Sequence, residues 1–176
     1  MLALKINTTK TFMHKLLIGD AFHVFSLVEA SITTFNQFHI DGKLHMDFFD
    51  TDTEQQLSAD KIIYSSWGDV KAYCYSIIRG KLPPLQFKFI MRLSPSQINI
   101  LPANNIFSFS DSELSDLFLN IQFKNNELLC TTGIFSQVFT LDKTSETTWD
   151  KFFHPYLVIL CLQSKHCSLQ SCNNRE

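Results

Sequence analysis

Between Leu85 and Leu93 every second residue is apolar: Leu85, Phe87, Phe89, Met91 and Leu93 alternate with Gln86, Lys88, Ile90 and Arg92. A period of two sends successive side chains to opposite faces, so this segment predicts a strand with one apolar face. Such a face must be covered by other parts of the chain. The 176 residues fit one domain or a tightly packed pair of subdomains. Apolar residues make up 45% of them, 17 being Phe, which is ample material for a core. Only five glycines and five prolines argue against a low-complexity or disordered chain.

The other elements follow from caps, turns and periodicity. A strand over 2–7 leads into a helix over 9–18, with Thr8 as N-cap, Phe12, Leu16 and Leu17 as its apolar stripe and Gly19 as its stop. Residues 22–40 are rich in strand formers. Asp41-Gly42 predicts a two-residue hairpin turn into a strand at Leu44–Phe49. An acidic loop at 50–60 precedes a helix from Ser66 to Arg79, closed by Gly80 and Pro83-Pro84. Beyond the 85–93 strand, Ser94-Pro95 opens a short helix over 95–101, and a polar connection spans 108–116. The strand Leu117–Phe123 then turns at Asn125-Asn126 and returns as Glu127–Thr132. A third strand, Phe135–Leu141, precedes a helix from Ser145 to Gln163, which Pro155 should bend or split.

Landmarks in the two halves stand at similar offsets. Thr8 and Ser94 are 86 residues apart, the two turn dipeptides 84, and "SSWGDVKAYCYSII" at 65–78 lies 82 before "TTWDKFFHPYLVIL" at 147–160. The expected architecture is α+β: a mainly antiparallel sheet with helices, as two β-α-β-β-(β)-α pseudo-repeats. Residues 1–163 would form a single domain with halves 1–82 and 83–163, and 164–176 a flexible tail.

The segments "LALKI", "EASITT", Trp67, "IIRGKLPPLQFKFIMRLS" at 77–94 and "LNIQF…LLCTTG…FTLDK…WD" at 119–150 resemble an uncharacterised family of small cytosolic proteins from Gram-positive anaerobic bacteria. The resemblance implies a bacterial protein built on a domain of unknown function and supplies no mechanism. At fold level the repeated unit is similar to a domain of the DNA sliding clamps and to the saddle of the TATA-binding protein. Fold does not imply function, and "SPSQINILPANN" has no cation with which to grip DNA as a clamp helix would.

The net charge of −2 and a pI near 6.3 give no global attraction to nucleic acid or acidic membranes. No apolar run reaches the ~18 residues of a membrane span, and Lys5, Lys10, His14 and Lys15 interrupt any leader-like segment. Five cysteines without paired spacing read as reduced thiols. A cytoplasmic protein without membrane contact is expected.

Four candidate sites stand out. Arg79, Lys81, Lys88 and Arg92 lie in an acid-free stretch from Val70 to Ser110 and could hold an anion or nucleic acid, with Tyr73 and Tyr75 for stacking. The plain alternative is a solvated face in which Arg79 and Lys81 complement a helix C-terminus. "DTDTE" at 50–54 opens like a calcium loop, but Gln55 and Lys61 stand where glycine and glutamate are needed, leaving a solubilising loop. The tail residues Cys161, His166, Cys167 and Cys172 lack the close cysteine pairs of structural zinc.

The fourth is Cys130-Thr131-Thr132-Gly133, a possible nucleophile turn with His154, itself four residues from Asp150. If Asn125-Asn126 is a two-residue turn, however, Lys124 faces Glu127, Phe123 faces Leu128 and Ile121 faces Cys130, which puts the thiol in the core. Gly133 would then mark a bend or bulge. The expected function is a non-catalytic binding or scaffold module, with no catalytic residues, metal or cofactor and with a protein partner or anionic ligand. Two alternatives stay open: an anion or nucleic-acid binder using Arg79, Lys81, Lys88 and Arg92, and a small Cys-dependent enzyme using Cys130 and His154.

Overall fold

The computed structural model describes residues 1–93, 116–135, 144–162 and 169–171. Seven strands form one sheet: β1 (Ala3–Ile6), β2 (Ser26–Thr33), β3 (Gln37–Asp41), β4 (Gln86–Leu93), β5 (Asp116–Lys124), β6 (Glu127–Phe135) and β7 (Leu169–Ser171). Their order is β3-β2-β4-β5-β6-β1-β7, and every neighbouring pair is antiparallel. The described helices are α1 (Thr9–Leu17), α2 (Thr51–Ala59), α3 (Trp67–Ile78) and α4 (Thr144–Leu162), with a 3-10 turn at Met46–Phe48. The fold is α+β.

Alternation in the strands sorts the two faces. Ile32, Phe87, Phe123, Leu128 and Ile6 pair in sequence across five strands, and so do Ala30, Phe89, Ile121, Cys130 and Leu4. All ten are buried. Each large apolar side chain so removed from water contributes ~1.5–3 kcal/mol before ordering entropy is subtracted. Phe12, Leu16 and Leu17 of α1, Trp67 and Cys74 of α3, and Trp149, Phe152 and Phe153 of α4 complete this core. The Trp67 ring lies 5.3 Å from that of Phe89. Gln86, Lys88, Gln122 and Lys124 project from the opposite face and are exposed.

Several local expectations are corrected. Asp41-Gly42 is not a hairpin turn: β2 and β3 are joined at residues 34–36, where the Thr34 amide donates to the Asn36 carbonyl at 2.8 Å. Gly42 serves close approach instead, since a Cβ there would lie 1.8 Å from the Leu27 carbonyl oxygen. Its amide donates to Val28 O at 3.0 Å, beside a bulge between Leu27 and Glu29. Leu44–Phe49 is no strand; it holds the 3-10 turn. The acidic segment 50–60 is helical, because the Asp50 carboxylate accepts the Thr53 amide at 2.8 Å and caps α2. Gly133 bends nothing, pairing with Phe118 in unbroken register. α4 runs through Pro155 unsplit; Pro155 and Lys151, whose carbonyl the proline leaves without its helical donor, are both exposed.

The expected repeat is not reproduced in strand order. β4, β5 and β6 lie side by side, whereas β1 sits between β6 and β7 and not beside β2. Leu169–Ser171, inside the segment expected to be a tail, forms β7 against β1. The expected helix 95–101, the connection up to residue 115 and the strand beyond Phe135 lie outside the described residues.

Candidate functional site

Thr33, Gln86, Lys124 and Glu127 form the last paired row at one end of the sheet. Three connections meet beyond that row: the β2–β3 turn at 34–36, the α3–β4 loop at 79–85 and the β5–β6 turn at Asn125-Asn126. α3 reaches this end because its start is fixed at the other one, where the Trp67 amide donates to Phe25 O at 2.9 Å. The loop then closes on β2 through the Leu85 amide, 2.8 Å from Thr33 O. Asn125 and Asn126 have φ of 53° and 61°, the left-handed pair that a two-residue hairpin turn needs.

The loop "RGKLPPL" is anchored by buried Pro84, while Leu82 and Leu85 on either side of it stand out in solvent, 82% and 71% exposed. Phe35, at the tip of the neighbouring turn, is 89% exposed and meets only the edge of the Phe38 ring among described aromatic rings, at 6.3 Å. Arg79, Lys81 and Lys124 are exposed at the same end, and no ion pair holds them among the described residues. Glu127, which stands opposite Lys124 across the hairpin, is engaged by Lys5 at 2.5 Å. Apolar tips and cations outside any ion pair among the described residues therefore share one surface.

The four cations singled out in the sequence do not share it equally. Arg79 and Lys81 lie in the loop, and Lys88 lies two residues inside the end row on the polar face of β4. Arg92 is four residues further, about 13 Å along the strand. Its guanidinium is 2.8 Å from the Asp116 carboxylate and 5.5 Å from the centre of the Tyr64 ring. Of the two tyrosines proposed for stacking, Tyr73 is exposed and Tyr75 packs against the core. Lys124 was not among the sequence candidates; its place beside the Asn125-Asn126 turn was the available signal.

Cys130 pairs with Ile121 and Leu4 on the covered face and is 1% exposed, in the register expected from the hairpin. His154 is exposed on α4. Asp150 does not orient it. The Asp150 carboxylate accepts the Thr132 hydroxyl at 2.5 Å and lies 3.0 Å from the Met1 amino group, while the Thr132 hydroxyl accepts the Leu2 amide at 2.7 Å. The described residues thus give Cys130 no open cleft beside a base. Burial pushes the Cys74 thiol up to about 12. No cluster of three metal-ligating side chains occurs among the described residues; the tail candidates His166, Cys167 and Cys172, and the Cys161 side chain, lie outside them.

Lys71 has a role that sequence reasoning missed. Its ammonium donates to Gly19 O at 2.9 Å and to Asp20 Oδ1 at 3.1 Å, and lies 2.5 Å from His23 Nε2. It closes the carbonyl end of α1, where a cation is favoured. Its hydrogen bond, then the charges of His23 and Lys71, hold the Asp20 carboxyl below its ordinary range.

No helix among the described residues is long and apolar enough to cross a membrane. The sequence profile of a family of unknown function, DUF5721, matches residues 15–161. No curated protein and no solved structure matches the chain.

Proposed function

The chain belongs to the DUF5721 family, whose function is unknown, and from its own surface we propose that it is a non-catalytic binding module working through the turn end of the sheet. The observation that carries this reading is the joint exposure of Phe35, Leu82 and Leu85 beside Arg79, Lys81 and Lys124. Single exposed apolar residues are ordinary on protein surfaces, whereas three gathered at one end mark a contact surface. Burying each would contribute ~1.5–3 kcal/mol, so the three supply at most about 9 kcal/mol before association costs, and further contacts around them must add the rest. The cations would set the sign of the partner and speed its approach. Cys74 and Cys130, both outside any disulfide, support a cytoplasmic setting.

A second reading, an anion or nucleic-acid binder, rests on exposed Arg79, Lys81 and Lys88. Arg92 adds little to it, being engaged by Asp116. Capture from a host lysate by immobilised wild-type protein, Leu82→Asp and Lys81→Glu/Lys88→Glu separates the two, alongside anisotropy with heparin and a labelled oligonucleotide. Loss of a specific partner in Leu82→Asp, with no polyanion binding by the wild type, is the expected result. Polyanion binding that survives Leu82→Asp and vanishes in the charge reversal would replace the first reading with the second.

A further inference from the structure

We infer that the occupant of the turn end is a second copy of this chain, docked through the acidic segment at the opposite end of the sheet; this rests on the binding-module reading and names its partner. β2 runs from Ser26 to Thr33, with the turn end at Thr33. The excursion 42–65 springs from the other end: Leu27 donates to Ser65 O at 2.9 Å, and Ser65 donates to Gly42 O at 2.8 Å. The roots of the two surfaces are therefore separated by the length of β2, about 23 Å.

Their chemistry is complementary. The excursion carries Asp47, Asp50, Asp52, Glu54 and Asp60 against Lys43 and Lys61. It also exposes Phe48, at 85%, together with Ile62 and Ile63. The turn end presents three exposed apolar side chains with Arg79, Lys81 and Lys124, which form no ion pair among the described residues. The excursion is thus net negative, with five acids against two lysines, whereas Arg79, Lys81 and Lys124 at the turn end stand beside one acid of the end row, Glu127. Like-with-like pairing about a two-fold axis would press cation against cation. Head-to-tail docking brings opposite charges together and buries apolar surface from both ends, a heterologous contact that propagates instead of closing. Since the two ends of one molecule cannot meet, the complement of each lies on a neighbour.

Sedimentation velocity of the full chain tests this, at concentrations up to about 200 µM and salt from about 50 to about 500 mM. The expected result is mass that grows with concentration past the dimer and shrinks as salt rises. Two variants sharpen it: Lys81→Glu/Leu82→Asp disables one end, and Asp52→Lys/Phe48→Ser the other. All four positions are exposed, and circular dichroism checks that each variant keeps its fold. Each alone should be monomeric, and their equimolar mixture should give a heterodimer and nothing larger. A monomeric wild type at the highest concentration and lowest salt, a dimer that both variants retain, or a mixture that stays monomeric would overturn the inference. If the wild type is monomeric while Leu82→Asp loses a different captured protein, self-docking is wrong and the binding-module reading stands. If Leu82→Asp changes neither capture nor self-association, both fail.

Discussion

Trp67 and Trp149 each lie near the start of a helix that packs on the sheet, each is fully buried, and each donates its indole N–H to a backbone carbonyl. The acceptors differ. Trp67 reaches Leu16 O at 2.8 Å, in the last turn of α1, where a carbonyl has no amide of its own helix to accept. Trp149 reaches Phe118 O at 3.3 Å, inside β5, where the carbonyl already belongs to a sheet ladder. The same residue making the same kind of bond thus has two different weights. One bond satisfies a buried group that has no other protein donor in view, and the other adds to a satisfied one.

Trp67→Phe should show the larger cost, about 3 kcal/mol, because lost volume is joined by a stranded buried carbonyl. Trp149→Phe removes the same volume and a redundant bond, and about 1.5 kcal/mol is expected. Urea unfolding of both variants measures the difference, and equal costs would break the comparison. Lys71→Met tests whether the α1 end is the sensitive one: it strands the Gly19 carbonyl, while Trp149 and α4 are untouched, and about 1 kcal/mol is expected. Its pH dependence carries a sign. The Asp20 carboxyl is depressed in the fold, so its contribution is fully present above the ordinary value of 3.8 and lost as pH falls through the lower folded value. Lys71→Met lacks most of that contribution, so the gap between the two proteins should hold steady above that pH and narrow below it.

What the sequence disclosed depended on how local the cause was. β4, the β5–β6 hairpin and the burial of Cys130 all follow from alternation and one turn, and the residues that set them lie within nine positions of each other along each strand. The dipeptides Asp41-Gly42 and Asn125-Asn126 carry similar turn signals, yet Gly42 is needed because another strand's backbone passes against it, which no local pattern shows. α2 has no buried stripe to announce a helix; a cap from Asp50 starts it instead. The candidate site was half legible. The cations were visible, but their grouping with Phe35 and Lys124 depends on which connections the strand order brings to one end. Nothing near Arg92 in the sequence announced Asp116 as its partner.

The place of β1 has a consequence in time. Its neighbours are β6 and β7, and the hydrogen bond from the Leu2 amide to the Thr132 hydroxyl spans 130 residues. A chain leaving the ribosome therefore carries Leu4 and Ile6 uncovered until Glu127–Phe135 has been made. Long-range closure of this kind slows folding, so β1 is expected to dock late and the nascent chain to depend on being shielded meanwhile.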